Sequence, residues 1–168
     1  MREIELLDLF DQYSNMVYRI ALSYLRQHQD AEDAVQSIFM KLIDGTARPE
    51  LGKERAFLTR ITINHCKDAL RSAWKRRIVP LDESIELGQF EPFKQKEDSD
   101  LFHAVMSLPE KYRIVVYLHF YEGYTFQEIA GFLKISSSGV SMRIHRAKKM
   151  LQNDLENNFK EDGYELRF

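Results

Sequence analysis

Cysteine is almost absent from this chain. Cys66 stands alone, so no internal disulfide can form and a reducing cytosol is the expected home. Proline and glycine are scarce too, four and seven in 168 residues, which argues against a turn-rich sandwich or barrel and against a collagen-like repeat. No apolar run is long enough to cross a bilayer, and the best, 114–121, contains His119. The opening MREIELLDLF places acids where a secretion signal needs a basic end and then an apolar block. Enzyme signatures are missing as well: there is no glycine-rich phosphate loop and no paired-ligand metal motif. His28, His65, His103, His119 and His145 are scattered, and His103 and His119 read as helix-face residues rather than acid–base catalysts. His65 and Cys66 are adjacent, but no further ligand follows at suitable spacing, so packing or surface placement is expected over metal binding. What remains is a cytoplasmic protein with no catalytic activity, no cofactor, no metal and no membrane insertion.

What is present fills a core: 44% of the residues are apolar, which excludes wholesale disorder. The formal charge of −2 conceals a pattern. Residues 1–79 carry net +2, residues 80–100 net −5, residues 101–153 net +4 and residues 154–168 net −3. In the first basic lobe Lys53, Arg55, Arg60, Lys67, Arg71, Lys75, Arg76 and Arg77 meet only Glu54 and Asp68. In the second, Arg143, Arg146, Lys148 and Lys149 lie in a stretch, 129–153, that has no acid at all. Local basic stripes attract polyanions even on a weakly acidic molecule; a merely solvated helix face is the plain alternative for either one.

Apolar residues recur at helical spacing along nearly the whole chain, and sustained alternation is absent. Leu6, Phe10, Tyr13, Val17, Ile20 and Tyr24 predict a helix over 3–27. Asp30 reads as the N-cap of a second helix, with Glu32 and Asp33 in its first turn and Ala31, Ala34 or Val35, Ile38 and Leu42 inward. It ends near Gly45. A third helix, from about Lys53 to Arg77, takes Phe57, Ile61, Leu70 and Trp74 as its apolar stations, and Pro80 stops it. The acidic stretch 81–98 reads as a flexible linker. Beyond it, Leu101, Phe102, Val105 and Leu108 mark one helix ended by Pro109. Tyr112, Val115, Val116 and Phe120 mark the next, closed by Gly123. The expected fold is therefore all-α, with two small helical domains, 1–80 and 99–160, joined by the 81–98 linker and followed by an acidic tail, 161–168.

The segment 125–149 is the most informative. Thr125-Phe126-Gln127-Glu128 reads as a capping box opening a helix with Ile129, Ala130 and Leu133 inward. A short polar turn follows, then a longer basic helix from about Ser137 with Val140, Ile144, Leu151 and Leu155 inward. This is the outline of a DNA-reading helix-turn-helix, with Ala130 as the small residue where the helices cross. Ser137, Ser138, Ser141, Met142, His145, Arg146 and Lys149 fall on the outside, where Arg146 can read a guanine edge or grip phosphate. Ser136 to Gly139 allow close approach of backbone to phosphate.

Taken together, the lobes resemble a bacterial RNA polymerase sigma factor of the extracytoplasmic-function group. Segment 30–39 (DAEDAVQSIF) is similar to the family's polymerase-binding helix. Segment 56–64 (AFLTRITIN), continuing to 67–71 (KDALR), is similar to the block that reads and opens the minus-ten element. Segment 108–113 (LPEKYR), with 124–149 after it, is similar to the domain that reads the minus-thirty-five element. The resemblance implies that Asp33, Gln36, Ser37 and Met40 dock on the coiled coil of the polymerase beta-prime subunit. It implies that Asn64 reads a base flipped from the duplex, its amide both donating and accepting. Phe57, where the family commonly has Trp, would stack, and Arg60, Lys67 and Arg71 would hold the backbone. Thr59 stands where an aromatic is common. The implied partners are core RNA polymerase through its beta-prime and beta subunits, promoter DNA and an anti-sigma factor, with the free protein a monomer. Two other readings compete: a stand-alone helix-turn-helix regulator of duplex DNA, and a helical adaptor whose basic stripes only solubilise.

Overall fold

A computed structural model of the chain describes residues 3–76 and 96–159. Among the described residues every regular element is helical. They divide into two compact units. The expected linker 81–98 lies outside the described residues except for 96–98, which already form the start of a helix; the 161–168 tail lies outside them too.

The first unit holds α1 (Glu3–Leu25), α2 (His28–Ile43) and α3 (Glu54–Arg76). Val17, Ile20, Ala21 and Tyr24 of α1 meet Ala31, Ala34, Ile38 and Leu42 of α2 and Leu58, Ile63 and Cys66 of α3 in a closed core. Each fully buried Ile, Leu or Val contributes about 1.5–3 kcal/mol. Phe10, expected inward, is 43% exposed and presents an edge to Phe39 at 4.9 Å. α1 stops short of residue 27 because Arg26 turns left-handed, φ 63°, its N–H bonding back to the Leu22 carbonyl at 2.9 Å. A left-handed residue ends a helix, and on a non-glycine it costs roughly 1 kcal/mol. This early turn starts α2 at His28 behind Gln27. Asp30 is therefore not the N-cap; it lies inside the first turn, where its carboxylate still faces the positive end of the helix.

α3 differs from its expected register. Phe57, Ile61 and Leu70 are only half-buried and Trp74 is 86% exposed. The buried stripe is Leu58, Thr59, Thr62, Ile63 and Cys66. Two threonines can line it because their hydroxyls are partnered: Thr62 donates to the Leu58 carbonyl of its own helix at 2.6 Å and Thr59 to the Met16 sulfur of α1 at 3.8 Å.

The second unit holds α4 (Lys96–Ser107), α5 (Glu110–Val116), a π-helical turn (Tyr117–Tyr121), α6 (Phe126–Leu133) and α7 (Ser137–Phe159). Pro109 ends α4, and the gap is closed by Arg113, a 3% exposed cation whose Nη1 donates to the carbonyls of Leu108 at 3.0 Å and Met106 at 3.4 Å. A guanidinium at the negative end of α4 satisfies carbonyls the helix itself cannot. In the π turn the Glu122 N–H reaches back to the Tyr117 carbonyl at 3.2 Å. The wider turn rotates Phe120 outward, so that this residue, expected inside, is 54% exposed and carries the Lys148 ammonium 5.4 Å from its ring centre. Gly123, at φ 74°, turns the chain into α6.

Candidate nucleic-acid interface

The helix-turn-helix forms as its sequence predicts. Thr125 accepts the Glu128 N–H at 3.2 Å, and the Glu128 carboxylate accepts the Thr125 N–H at 2.8 Å, a complete capping box. Lys134, left-handed at φ 56°, closes α6, and the Ile135 N–H bonds back to the Ala130 carbonyl at 3.1 Å. Ser136 then caps α7, its hydroxyl accepting the Gly139 N–H at 3.0 Å. Val140, Ile144, Ala147, Leu151 and Leu155 are buried. That fixes the rotation of α7, and Ser137, Ser138, Ser141, Met142, His145, Arg146 and Lys149 are all exposed on the other side.

Arg146 is not left to wander. Its guanidinium donates to the hydroxyl of Tyr112 on α5, whose ring is anchored in the core with the residue 7% exposed. The Lys111 ammonium sits 4.9 Å from the same ring centre. The Arg146 hydrogen bond first, then Lys111, hold the Tyr112 phenol below the ordinary tyrosine range. A planar cation held by one of its own N–H groups loses less side-chain freedom when its remaining donors meet a base edge or phosphate. Sequence reading missed Tyr112 in this role, because only the folded helices bring α5 beside α7.

On α3 the expected minus-ten residues share one stripe. Phe57, Arg60, Asn64, Lys67 and Arg71 follow one another at alternating three- and four-residue steps, the spacing of a single helical face. Arg60, Asn64 and Arg71 are exposed; Phe57 and Lys67 are half-buried. Arg71 makes a loose surface ion pair with Asp68 at 3.5 Å. Trp74 continues the same stripe, which the sequence reading had turned inward. Thr59, with zero exposure, is off this face altogether.

Next to the stripe, His65 is half-buried. Burial first, then Lys41, push its imidazole below the ordinary value of 6.5, with Asp68 opposing. A depressed folded pKa means the unfolded chain binds the proton more tightly. His65 therefore contributes stability that is fully present above pH 6.5 and is lost as pH falls through its lowered folded value. The expected result is a first unit whose unfolding midpoint drops on acidification below about pH 6.5, less steeply in His65→Gln. Parallel acid profiles for the two proteins in urea titrations would exclude His65.

On α2, Asp33, Gln36 and Met40 are exposed and Ser37 is half-buried, opposite the apolar face. Asp33 accepts the Gln29 side-chain amide at 3.1 Å. Met40 (55% exposed) and Ile43 (60%) add an apolar strip beside these polar groups. Among the described residues no cluster of His, Cys, Asp and Glu could hold a metal ion. No helix there is long and apolar enough to cross a membrane.

The two units coincide with known protein families. Residues 9–76 match the model for sigma-70 region 2, and residues 99–151 match the model for sigma-70 region 4. The RNA polymerase sigma factor SigV of Bacillus subtilis is 31% identical over 141 residues, 82% of this chain and 83% of that protein. The ECF RNA polymerase sigma factor SigL of Mycobacterium tuberculosis is 29% identical over 158 residues, 88% of this chain and 87% of that one. The solved structure of the sigma factor RpoE in complex with the anti-sigma factor NepR, from Bartonella quintana, shares the fold. Its TM-score is 0.73 at 22% identity, covering 92% of this chain and 96% of that chain. With both regions matched in order and relatives aligned along most of its length, the chain belongs to the sigma-70 family of RNA polymerase sigma factors, in the extracytoplasmic-function group, as a promoter-specificity subunit.

Proposed function

We propose that the two units divide promoter recognition between them. The first, residues 1–80, binds the polymerase beta-prime coiled coil through Asp33, Gln36, Ser37 and Met40 of α2. It also opens the minus-ten element with α3, where Asn64 takes the flipped base, Phe57 stacks, and Arg60, Lys67 and Arg71 grip phosphates. The second, residues 99–160, lays α7 in the duplex at minus thirty-five. There Arg146 and its neighbours Ser141, Met142 and His145 face base edges, while Ser137, Ser138 and Lys149 face the backbone. Residues 81–98 tether the two.

The observation that carries this reading is the stripe from Arg60 through Asn64 to Arg71, exposed on a helix whose opposite side is buried. Extruding a base costs a few kcal/mol, which an amide reader with stacking and phosphate contacts offsets. RNA synthesis stays with the core enzyme, so this chain supplies no catalytic group. It acts in the cytoplasm as a free monomer until it meets polymerase, and an anti-sigma partner, such as the one bound to the Bartonella quintana relative, holds it in reserve.

The test is reconstitution. Mixed with core polymerase, the chain should co-migrate on a sizing column and direct initiation at a promoter selected by chromatin capture. Arg146→Ala should keep core association and weaken upstream recognition by about 1–3 kcal/mol. Tyr112→Phe, which removes the brace and leaves the cation, should lose a smaller part of the same preference. A chain that fails to associate with core polymerase would overturn the reading; an Arg146→Ala protein with unaltered promoter preference would remove Arg146 from it.

A further inference from the structure

We infer that Trp74 is a stacking platform for an unpaired DNA base beyond the one read by Asn64; the inference rests on the reading of α3 as the minus-ten face. Trp74 is the only tryptophan in the chain and is 86% exposed, second only to Leu51 among the large apolar side chains of the described residues. A lone exposed apolar side chain is ordinary, but an indole on the face that carries the minus-ten residues and their cations is placed to stack a base. Its place in the helix is specific: it lies three residues past Arg71, seven past Lys67 and ten past Asn64, on the one stripe that also carries Phe57 and Arg60. The other exposed apolar residues of this unit, Leu7, Phe10, Met40, Ile43 and Leu51, lie on α1, α2 and the loop before α3.

The chemistry of the neighbourhood selects the ligand. Arg71 stands one turn before Trp74, and Lys75 and Arg76 follow it directly in the sequence, so a phosphate backbone is drawn to this end of α3. An aromatic flanked by cations is the arrangement that binds single strands, because every base has a π face and the cations follow the phosphates. A paired base inside a duplex has both faces covered by its neighbours, which leaves nothing for an indole to cover. A base freed by promoter opening has one.

Distance sets which base. Ten residues of α-helix span about 15 Å, and an opened strand, its bases no longer stacked, advances more than the roughly 3.4 Å per nucleotide of the duplex. A strand laid along α3 with one base at Asn64 therefore brings a second base to Trp74 no more than about four nucleotides away. α3 becomes a ruler with a polar reader in the middle and an aromatic stop at its end.

The experiment uses holoenzyme made from core polymerase and the full chain carrying W74A, W74F or N64A, on a promoter with 2-aminopurine moved one position at a time through the opened strand. Wild type should quench the probe at one position within about four nucleotides of the base lost in N64A, and W74A should abolish that quenching. Open-complex occupancy should fall about tenfold in W74A, with W74F recovering most of it, since stacking on an aromatic is worth this order per base. Because the indole is exposed, core association should be unchanged throughout. If N64A is impaired while W74A opens the promoter normally and quenches as wild type, Trp74 has no such role. If N64A and W74A both behave as wild type, the reading of α3 fails with it. A W74A defect that W74F leaves unrelieved would likewise overturn stacking.

Discussion

Arg113→Ala is expected to destabilise the second unit by about 3 kcal/mol, from hydrogen bonds to a charged donor that contribute roughly 1.5–3 kcal/mol each. The guanidinium is 3% exposed and holds the Leu108 and Met106 carbonyls at the end of α4. Removing it leaves acceptors that water cannot easily reach and a hollow where the side chain packed. Against a typical domain stability of about 5–15 kcal/mol this loss is large. Arg113→Lys keeps the charge but not the planar fork, so it should recover only part. Hydrogen exchange read peptide by peptide is the suitable measurement: amides of α4–α7 should lose protection while those of α1–α3 keep theirs. Unaltered protection across α4 and α5 would show that the carbonyls find other donors.

Asn64→Ala carries the second large effect, and it falls on activity. The residue is exposed, so its loss should change stability by no more than about 0.5 kcal/mol. A polar reader of a base is worth roughly 1–3 kcal/mol of discrimination, which corresponds to about a fivefold to 150-fold drop in open-complex formation. Core association should be retained, separating this defect from one in α2. Permanganate reactivity of the opened thymines is the readout. Normal reactivity in the variant would take Asn64 out of the site.

Most of the fold was legible because α2, α4 and α7 bury what their periodicity says they bury. Ala31, Ile38, Leu42, Val140, Ile144 and Leu151 all lie where a 3.6-residue repeat puts them. The failures have physical causes. On α3 the pattern was misread because Thr59 and Thr62 are polar in composition yet buried, while a tryptophan sits outside. A threonine that bonds its own helix carbonyl is silent in any apolar count. Phe120 was misplaced because a π turn adds a residue to the period, and nothing in YLHFY announces it. Asp30 looked like a cap because capping chemistry and first-turn acids use the same residues.

The site was legible in part. The outward residues of α7 followed from spacing and charge and those of the α3 stripe from the family resemblance, and each lies at least partly in solvent. The Tyr112 brace on Arg146 was not, since residues 34 positions apart in sequence meet only through packing. Nor was the outward Trp74, whose exposure depends on the true register of α3.

One feature of α7 reaches past this molecule. Ser141, Met142, His145 and Arg146 share no side of the helix with Val140, Ile144, Ala147 and Leu151. Substitution at Ser141, Met142 or His145 leaves the inner contacts whole, so a change at the face proposed to read the promoter costs little foldedness, within about 0.5 kcal/mol per change. If that face reads the promoter as proposed, descendants of such a chain can migrate from one regulon to another by drift at a handful of surface codons. An engineer wanting orthogonal promoters can randomise those same positions without first stabilising the scaffold.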